Sequence, residues 1–498
     1  MNVNPITRLD YPDPDVIRVE DTYYMVSTTM HFMPGCEILQ SFDLVHWEHV
    51  TYVYETLDHT DAQQLKSGQN IYGQGMWAAS LRYHEGRFYI CFVANDTRKT
   101  YLYTSEKIDG PWKKQLIEGF YHDGSLLFDE DGRNYIVYGN DEIWITELNE
   151  DLTAPKKDGL HRLLVSDHKN PELGYEGSHI QKINGYYYIF LVHSLRDRWM
   201  RTEACFYSDS LEGEFTGGDV LCDDRGYCGQ GVAQGGIVDT PDGKWYAMLF
   251  QDSGAVGRIP ILLPVTWKDH FPVFGQNGHV PEEIEVHSTR PGYIYQPLVG
   301  SDDFCNGLLP RWQFNHDPDP RYYHLDALQG TYTITTREVC TELTQAVNTL
   351  TQRMSYPSCA AEVTVDASAL KEGDVAGLCA LQSCYAAVGI TKHHGKYEVL
   401  MLDKKEDGIL DMTEGIVVES HQIDFRLEAD FCNMKDEARC YYRVNKGDWL
   451  PIGTVHKLYF KLDHFTGCRF GLFCYAAEET GGSACFRDFK YYDVDEIS

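Results

Sequence analysis

No apolar run in this chain approaches the ~18 residues that a membrane helix needs, and no stretch keeps the 3.6-residue apolar period of a long helix. Positive charge is scarce: 43 Lys and Arg stand against 75 Asp and Glu, a formal net charge of −32. Such a surface repels phosphate backbones, which argues against nucleic acid as a partner and leaves a neutral ligand unhindered. No Cys-x-x-Cys pair occurs and the 20 histidines fall in no zinc-type spacing, so a zinc site is not expected. A Gly-x-Ser-x-Gly elbow is also missing, which removes support for a serine hydrolase. Gly229-Gln-Gly-Val-Ala-Gln-Gly235 has the composition of a nucleotide-binding loop. Its spacing is wrong, however, and no strand–loop–helix unit surrounds it. The 15 cysteines are an odd number scattered from Cys36 to Cys485, and the opening Met1-Asn-Val-Asn-Pro-Ile6 carries no apolar leader. Both give the expectation of reduced thiols in a cytoplasmic protein without a membrane partner.

What the chain does have is a repeat. Five segments share one layout: Asp15-Val-Ile-Arg-Val-Glu-Asp-Thr-Tyr-Tyr24, Ser80-Leu-Arg-Tyr-His-Glu-Gly-Arg-Phe-Tyr89, Ser125-Leu-Leu-Phe-Asp-Glu-Asp-Gly-Arg-Asn-Tyr135, Ser178-His-Ile-Gln-Lys-Ile-Asn-Gly-Tyr-Tyr-Tyr188 and Gly236-Ile-Val-Asp-Thr-Pro-Asp-Gly-Lys-Trp-Tyr246. Each reads as a short apolar strand, a polar turn and a second strand opening on an aromatic. The spacing of the starts is close to the roughly 40–50 residues of a propeller blade with insertions. A five-bladed β-propeller over residues 1–295 is the simplest closed solution, because radial repetition leaves only short sheet edges. A hairpin-rich sandwich is the competing reading, and five copies of one layout weigh against it.

The repeat fades after Trp267, and turn signals from about 287 to 303 mark a boundary. Residues 300–498 still read as β. Gly330–Thr336, Gly377–Gln382, Tyr397–Leu402 and Cys440–Val444 alternate or run apolar, and Asn445-Lys-Gly-Asp448 is a hairpin turn. A β-sandwich is expected there. With 43% hydrophobic residues the chain can fill two cores.

Two residues before the repeat starts stand Asp13, Ala78, Asp123, Glu176 and Gln234. Alone, Asp13 between prolines or Asp123 before Gly124 reads as a turn aspartate. Glu176 between Tyr175 and Gly177 is harder to explain that way, since Glu is disfavoured at strand starts. At one phase of a radial repeat, three carboxylates converge on the axis. Such a set suits glycoside hydrolysis, which needs one protonated acid and one ionised base; a third carboxylate beside the acid can lift its pKa by like-charge repulsion. Tyr11, Phe32, Trp77 and Tyr175 are candidates for an aromatic pocket wall, and Arg258 for a guanidinium that orients a sugar.

Several segments now resemble glycoside hydrolase family 43. They are Asn4-Pro-Ile6, Tyr11-Pro-Asp-Pro-Asp15, Ser41-Phe-Asp-Leu-Val-His-Trp47, Met76-Trp-Ala-Ala-Ser-Leu81, His122-Asp-Gly-Ser-Leu126, Tyr175-Glu-Gly-Ser-His179 and Gly257-Arg-Ile-Pro260. Asp303 onward, with Phe465-Thr-Gly-Cys-Arg-Phe470 and Phe486-Arg-Asp-Phe-Lys-Tyr491, resembles the sandwich of its longer xylosidase-like members. The resemblance implies Asp13 as general base, Asp123 as the residue that tunes and orients the acid, and Glu176 as general acid. It implies Arg258, with Met30, Phe32, Trp77, His179 and Gln234, as substrate-binding residues, and Phe465 or Arg469 on a sandwich loop that closes the pocket. An inverting exo-glycosidase follows, releasing terminal D-xylose or L-arabinofuranose from small oligosaccharides, with association into a homo-oligomer as a further expectation. No cofactor is required. Relatives often carry His where Gln234 stands, near a central calcium, so calcium in the propeller channel is compatible with this sequence but not implied by it. The alternatives are a non-catalytic carbohydrate-binding propeller, an arabinan-degrading hydrolase, and a retaining fructan hydrolase, whose Asn-Asp-Pro-Asn type motif is missing here.

Overall fold

A computed structural model describes residues 2–493; Met1 and residues 494–498, the outer ends of the two expected domains, lie outside the described residues. Five four-stranded antiparallel sheets build the propeller. Their inner strands are Asp15–Val19, Met76–His84, Ser125–Phe128, Glu176–Ile183 and Val232–Asp239. Each inner strand packs against its neighbours, and the first also meets the fifth, so the ring is closed. The last blade ends at Phe274, beyond Trp267, whose strand runs Arg258–Lys268. The chain ends lock the ring: Asn2–Val3 pairs with Glu283–Ile284. The Asn4 amide donates to the Leu262 carbonyl and accepts from the Leu262 N–H. No α-helix forms among the described residues, and none of their helices is long and apolar enough to cross a membrane.

Turn chemistry fixes the hairpins. Asn184 and Gly185 take φ of 51° and 84°, a two-residue turn that only Asn, Asp or Gly adopts cheaply. One layer inside the ring is tied by polar contacts. Arg82 of blade two donates to Asp15 Oδ2 at 2.7 Å and to Ser125 Oγ at 2.7 Å, and also to the Leu126 and Ile180 carbonyls. The Leu81 N–H donates to the same Asp15 oxygen, and His179 Nδ1 lies 3.1 Å from the other. A single guanidinium thus links four blades at the axis. Against the opposing effect of burial, Arg82, then His179 and the Leu81 N–H, hold the Asp15 carboxyl down at about 2.

The second domain is a sandwich of two sheets whose facing sides form one large apolar core. A surprise lies at its edge. Phe32–Met33, a propeller segment, pairs with Gln313–Asn315 and so extends a sandwich sheet. The loop between Leu450–Lys457 and Arg469–Ala476 reaches back to the propeller. Asp10 clamps it: one carboxylate oxygen accepts from the Arg258 N–H at 2.7 Å, the other from the Gly467 N–H at 2.8 Å. A Cβ on Gly257 would come within 2.3 Å of the Asp10 oxygen, and one on Gly467 within 2.1 Å of the Val256 carbonyl. Only glycine allows the two backbones to approach this closely.

The same interface buries His31, His316 and His464 around Tyr72, with ring centroids 4.5–5.0 Å apart. His316 Nε2 accepts from the Ile71 N–H and is therefore unprotonated there. Burial pushes His464 down to about 3, and His31 and His316 well below 6.5. Histidines whose folded pKa is depressed favour unfolding once they bind protons. Stability from this cluster is complete above pH 6.5, and each histidine removes up to about 1.4 kcal/mol per pH unit below it. We expect the thermal midpoint to fall between pH 7 and pH 5, and the fall to be shallower in His31→Phe. Equal slopes in the two proteins would show that other groups carry the acid sensitivity.

Candidate active site

At the mouth of every inner strand the backbone turns left-handed at one shared layer. Asp13, Ala78, Asp123, Gly177 and Gln234 have φ of 52°, 24°, 48°, 67° and 64°. In blades two, four and five a bulge sits there: Trp77 and Ser80 oppose Val93 and Cys91, Glu176 and His179 oppose Val192 and Phe190, and Ala233 and Gly236 oppose Phe250 and Met248. Bulges re-aim side chains at sheet ends. The register corrects the phase read from sequence. In blade four the equivalent residue is Gly177, and Glu176 belongs one step further out, with Trp77 of blade two and His122 of blade three.

That outer step explains which groups meet. His122 Nε2 lies 3.4 Å from Glu176 Oε2 and 3.5 Å from Asp123 Oδ2. One side-chain nitrogen or oxygen of each of the three lies within 4.8 Å of those of the other two. Asn140 donates to the same Glu176 oxygen at 2.7 Å, and the Gly177 N–H donates to Asp123 Oδ2 at 2.9 Å. Asp13 accepts from Thr28 Oγ1 at 2.6 Å and from Arg258 at 3.1 Å. Thr28 Oγ1 in turn accepts from the N–H of Ala78, the strained residue of blade two. Asp252 gathers two guanidinium groups: Arg201 Nε at 2.9 Å and Arg258 Nε at 3.4 Å. Glu176 and His122 keep 18% and 19% of their side chains exposed, against 8% for Asp13 and 6% for Asp123, so they face the mouth.

The proton balance differs from the sequence expectation. Burial pushes Asp123 up to about 6, and the charges of Glu176 and Asp13 add to this while His122 opposes it. Burial also raises Glu176, but His122, then Arg201 and Arg258, outweigh it and hold Glu176 below its ordinary value. His122 rises to about 9, because Asp123, Glu176 and Asp13 overcome the cost of burying its charge. In the free site at neutral pH the proton of this group therefore sits on His122.

The aromatic wall is partly as expected. Trp77 lies 6.1 Å from His122 and 5.2 Å from Phe465, ring to ring. Phe465 covers the Arg258 guanidinium at 4.2 Å, with Phe460 of the same sandwich loop at 5.7 Å. Met30 joins blades one and two through backbone bonds to Met76. Gln234 packs beside Gly177, and its N–H donates to the buried Glu203. Five residues named from the sequence stand elsewhere. Phe32 is fully buried in the sandwich sheet with Arg469 stacked on it at 3.5 Å, so neither residue lines the pocket. His179 lies one layer deeper, on Asp15. Tyr11 packs under Arg353, and Tyr175 against His193 and Phe206. Thr28, His122, Asn140, Arg201 and Asp252 were not singled out from the sequence. Of these only His122 carried a signal, as the neighbour of Asp123. The channel's opposite mouth holds a cavity of about 450 Å³, but its carboxylates Glu130 and Asp239 are paired with Lys182 and Arg18.

Calcium does not fit the channel layer around Asp15, Arg82 and Gln234. Both Asp15 oxygens are already used, the Arg82 guanidinium lies across the axis, and Gln234 offers one amide oxygen. Hard dications take six to eight oxygens.

Buried carboxylates, guanidinium groups and aromatic rings gathered at one mouth of a propeller define a carbohydrate-active hydrolase. The chain belongs to family 43 of the glycosyl hydrolases, whose sequence profile matches residues 3–272. Residues 301–492 match the beta-xylosidase C-terminal concanavalin A-like domain. A beta-xylosidase of Formosa agariphila is 26% identical, over 99% of this chain and 89% of its own length. A xylosidase/arabinosidase of Butyrivibrio fibrisolvens is 24% identical, over 99% of each chain. A solved structure of a bifunctional GH43-CE protein from Bacteroides eggerthii superposes with a TM-score of 0.93 at 42% identity. This chain is covered completely in that superposition and spans 64% of the larger protein.

Gly177 offers a direct test of the bulge. A Cβ there would meet Gln234 Cγ at 2.7 Å at a φ of 67°. We expect Gly177→Ala to lose about 1–3 kcal/mol of stability and at least ~10-fold in kcat/KM, since it displaces the N–H that holds Asp123. Gly185→Ala, also at positive φ but in open space in a remote turn, should lose stability alone. Equal activity in both variants would remove the bulge from catalysis.

Proposed function

We propose that this glycoside hydrolase is an inverting exo-acting pentosidase that releases terminal β-linked D-xylose, and also α-L-arabinofuranose, from short oligosaccharides. The observation that carries this reading is the unequal treatment of its carboxylates. Asp13 is surrounded by donors, Thr28 and Arg258, which suit an ionised base that takes a proton from water. Glu176 faces the mouth beside a proton-bearing histidine, which suits the acid that protonates the leaving oxygen. Asp123, tied by the Gly177 N–H, sits behind it and orients the pair. Attack at the anomeric carbon by that water, with cleavage on the opposite side, inverts the configuration. Arg258, fixed by Asp252 and by Phe465, supplies donors for sugar hydroxyls, and Trp77 gives the sugar a flat face. The sandwich loop walls one side of the site, which favours a terminal sugar over an internal one. Relatives named for both xylosidase and arabinosidase activities support two sugars on one site. The reaction as proposed needs no metal, and fifteen free cysteines fit a reducing, intracellular setting.

The test is hydrolysis of xylobiose and of the 4-nitrophenyl β-D-xyloside and α-L-arabinofuranoside. Glu176→Gln should lose ~10²–10⁴-fold on xylobiose and much less on the nitrophenyl glycosides, whose leaving group needs little acid. Proton NMR of the first product should show the α-anomer of xylose from a β-xyloside. The β-anomer would mark a retaining enzyme, and internal cuts in a long arabinan an endo-acting one. No turnover by the folded parent would favour a binding protein.

A further inference from the structure

His122 has entered so far only as the neighbour of Glu176, yet it is the residue that touches both carboxylates of the acid pair. Its Nε2 stands 3.4 Å from Glu176 and 3.5 Å from Asp123, a bifurcated contact between a ring nitrogen and two anions. Its carbonyl accepts from the Gly139 N–H, which fixes the backbone beneath the ring. It occupies in blade three the same outer step that presents Glu176 in blade four and Trp77 in blade two. About a fifth of the side chain is exposed, so the ring contacts solvent on one side and Glu176 on the other.

We propose that His122 supplies the proton that Glu176 delivers to the leaving oxygen, and restores it after each turnover. The inference rests on the assignment of Glu176 as the acid. An inverting hydrolase ends its cycle with the acid ionised and the base protonated, so the acid must regain a proton before the next substrate. In the proposed step the Nε2–H bond breaks and an Oε2–H bond forms on Glu176. That proton then passes to the glycosidic oxygen as the C–O bond breaks, and the attacking water gives its own proton to Asp13. His122, left neutral, takes a proton from bulk water, and Asp13 releases one. One water is consumed and no other reactant is needed.

The charged surroundings agree with this direction. Facing His122 are Asp123 on its own segment, Glu176 from blade four and Asp13 from blade one, three carboxyl groups whose charges raise it. Asn140 is neutral and competes only as a donor to Glu176. Arg201 and Arg258 act on Glu176 from the far side and favour its ionised form until substrate arrives. The three carboxyl groups keep His122 protonated to about pH 9. Without substrate the proton rests on the nitrogen. A glycosidic oxygen placed at Glu176 offers the proton an exit, and transfer follows the substrate.

His122 acts through Glu176 and so is a positioning and proton-supplying residue. The experiment compares His122→Gln, which keeps a donor but cannot carry a proton, and His122→Phe with the parent, on xylobiose and on 4-nitrophenyl β-D-xyloside from pH 5 to 10. Both variants should lose at least ~10²-fold on xylobiose, the lower range for a lost proton transfer, and less than about tenfold on the activated substrate. The alkaline limb of kcat/KM should move to lower pH in both. Circular dichroism and thermal unfolding separate these losses from misfolding. Equal losses on the two substrates with an unmoved alkaline limb would overturn the proposal and leave a packing role. Full activity in His122→Gln would overturn proton carriage and leave hydrogen bonding alone. If the parent itself turns over neither substrate, the assignment of the enzyme fails rather than that of His122.

Discussion

Everything at the site follows from one backbone constraint: each blade must place a left-handed residue where its inner strand begins. For Asp13, Ala78, Asp123 and Gln234 this conformation costs roughly 1–2 kcal/mol apiece relative to an extended residue. Such strain persists only where the surroundings over-determine it. Here they do. Thr28 accepts from the Ala78 N–H, Glu203 accepts from the Gln234 N–H, and Asp123 accepts from the Gly177 N–H. One layer further in, Arg82 ties Asp15, Ser125 and Ile180 into a rigid collar. The collar fixes where the strands start, and the left-handed step turns the next side chains toward the mouth. Carboxylates from three blades converge because the geometry is repeated, not because three loops happen to meet.

The second domain completes the site rather than decorating it. Asp10 holds the strand of Arg258 with one oxygen and the loop of Phe465 with the other. Burial raises the Asp10 carboxyl, and the two N–H donors together with Arg353 and Arg469 work against that rise. Arg353, from the sandwich, pairs with Glu37 of blade one at 2.8 Å and lies on the Tyr11 ring. A buried ion pair of this kind adds little net stability but strongly penalises any arrangement that breaks it. It specifies one docking of sandwich on propeller, and that docking decides where Phe465 and Phe460 stand relative to Arg258.

The fold was legible because repetition amplifies weak signals. Any one of the five hairpins is ordinary, and their common layout is not. The convergence of Asp13, Asp123 and Glu176 was legible for the same reason, even though blade four was read one residue out of phase. A bulge adds a residue without a sequence mark, so Glu176 and Gly177 exchanged roles. Phe32 and His179 failed for another reason. Nearness in sequence to a site residue says nothing about which side of a strand it faces, and a one-residue step reverses it. Arg201 and Asp252 lie on different strands of different blades, and only the closed ring brings them together. No local pattern records such a pair. Phe465, from the other domain, was reached only through resemblance, since nothing in its own segment points to a sugar.

The electrostatics divide the site into two halves with opposite tasks. On one side Asp252 fixes Arg201 and Arg258, permanent cations whose charge no working pH removes. Asp13 answers to that side, through its contact with Arg258. On the other side the nearest cation is an imidazolium, whose proton is mobile. Glu176 and Asp123 answer to that side. Had an arginine stood at position 122, the acid pair would be held ionised and could not deliver a proton. Had the position been apolar, burial and repulsion would leave the proton trapped between Asp123 and Glu176, with Asp123 the more buried holder. A histidine at the outer step avoids both outcomes, because it neutralises the pair at rest and gives up its charge when the proton is needed.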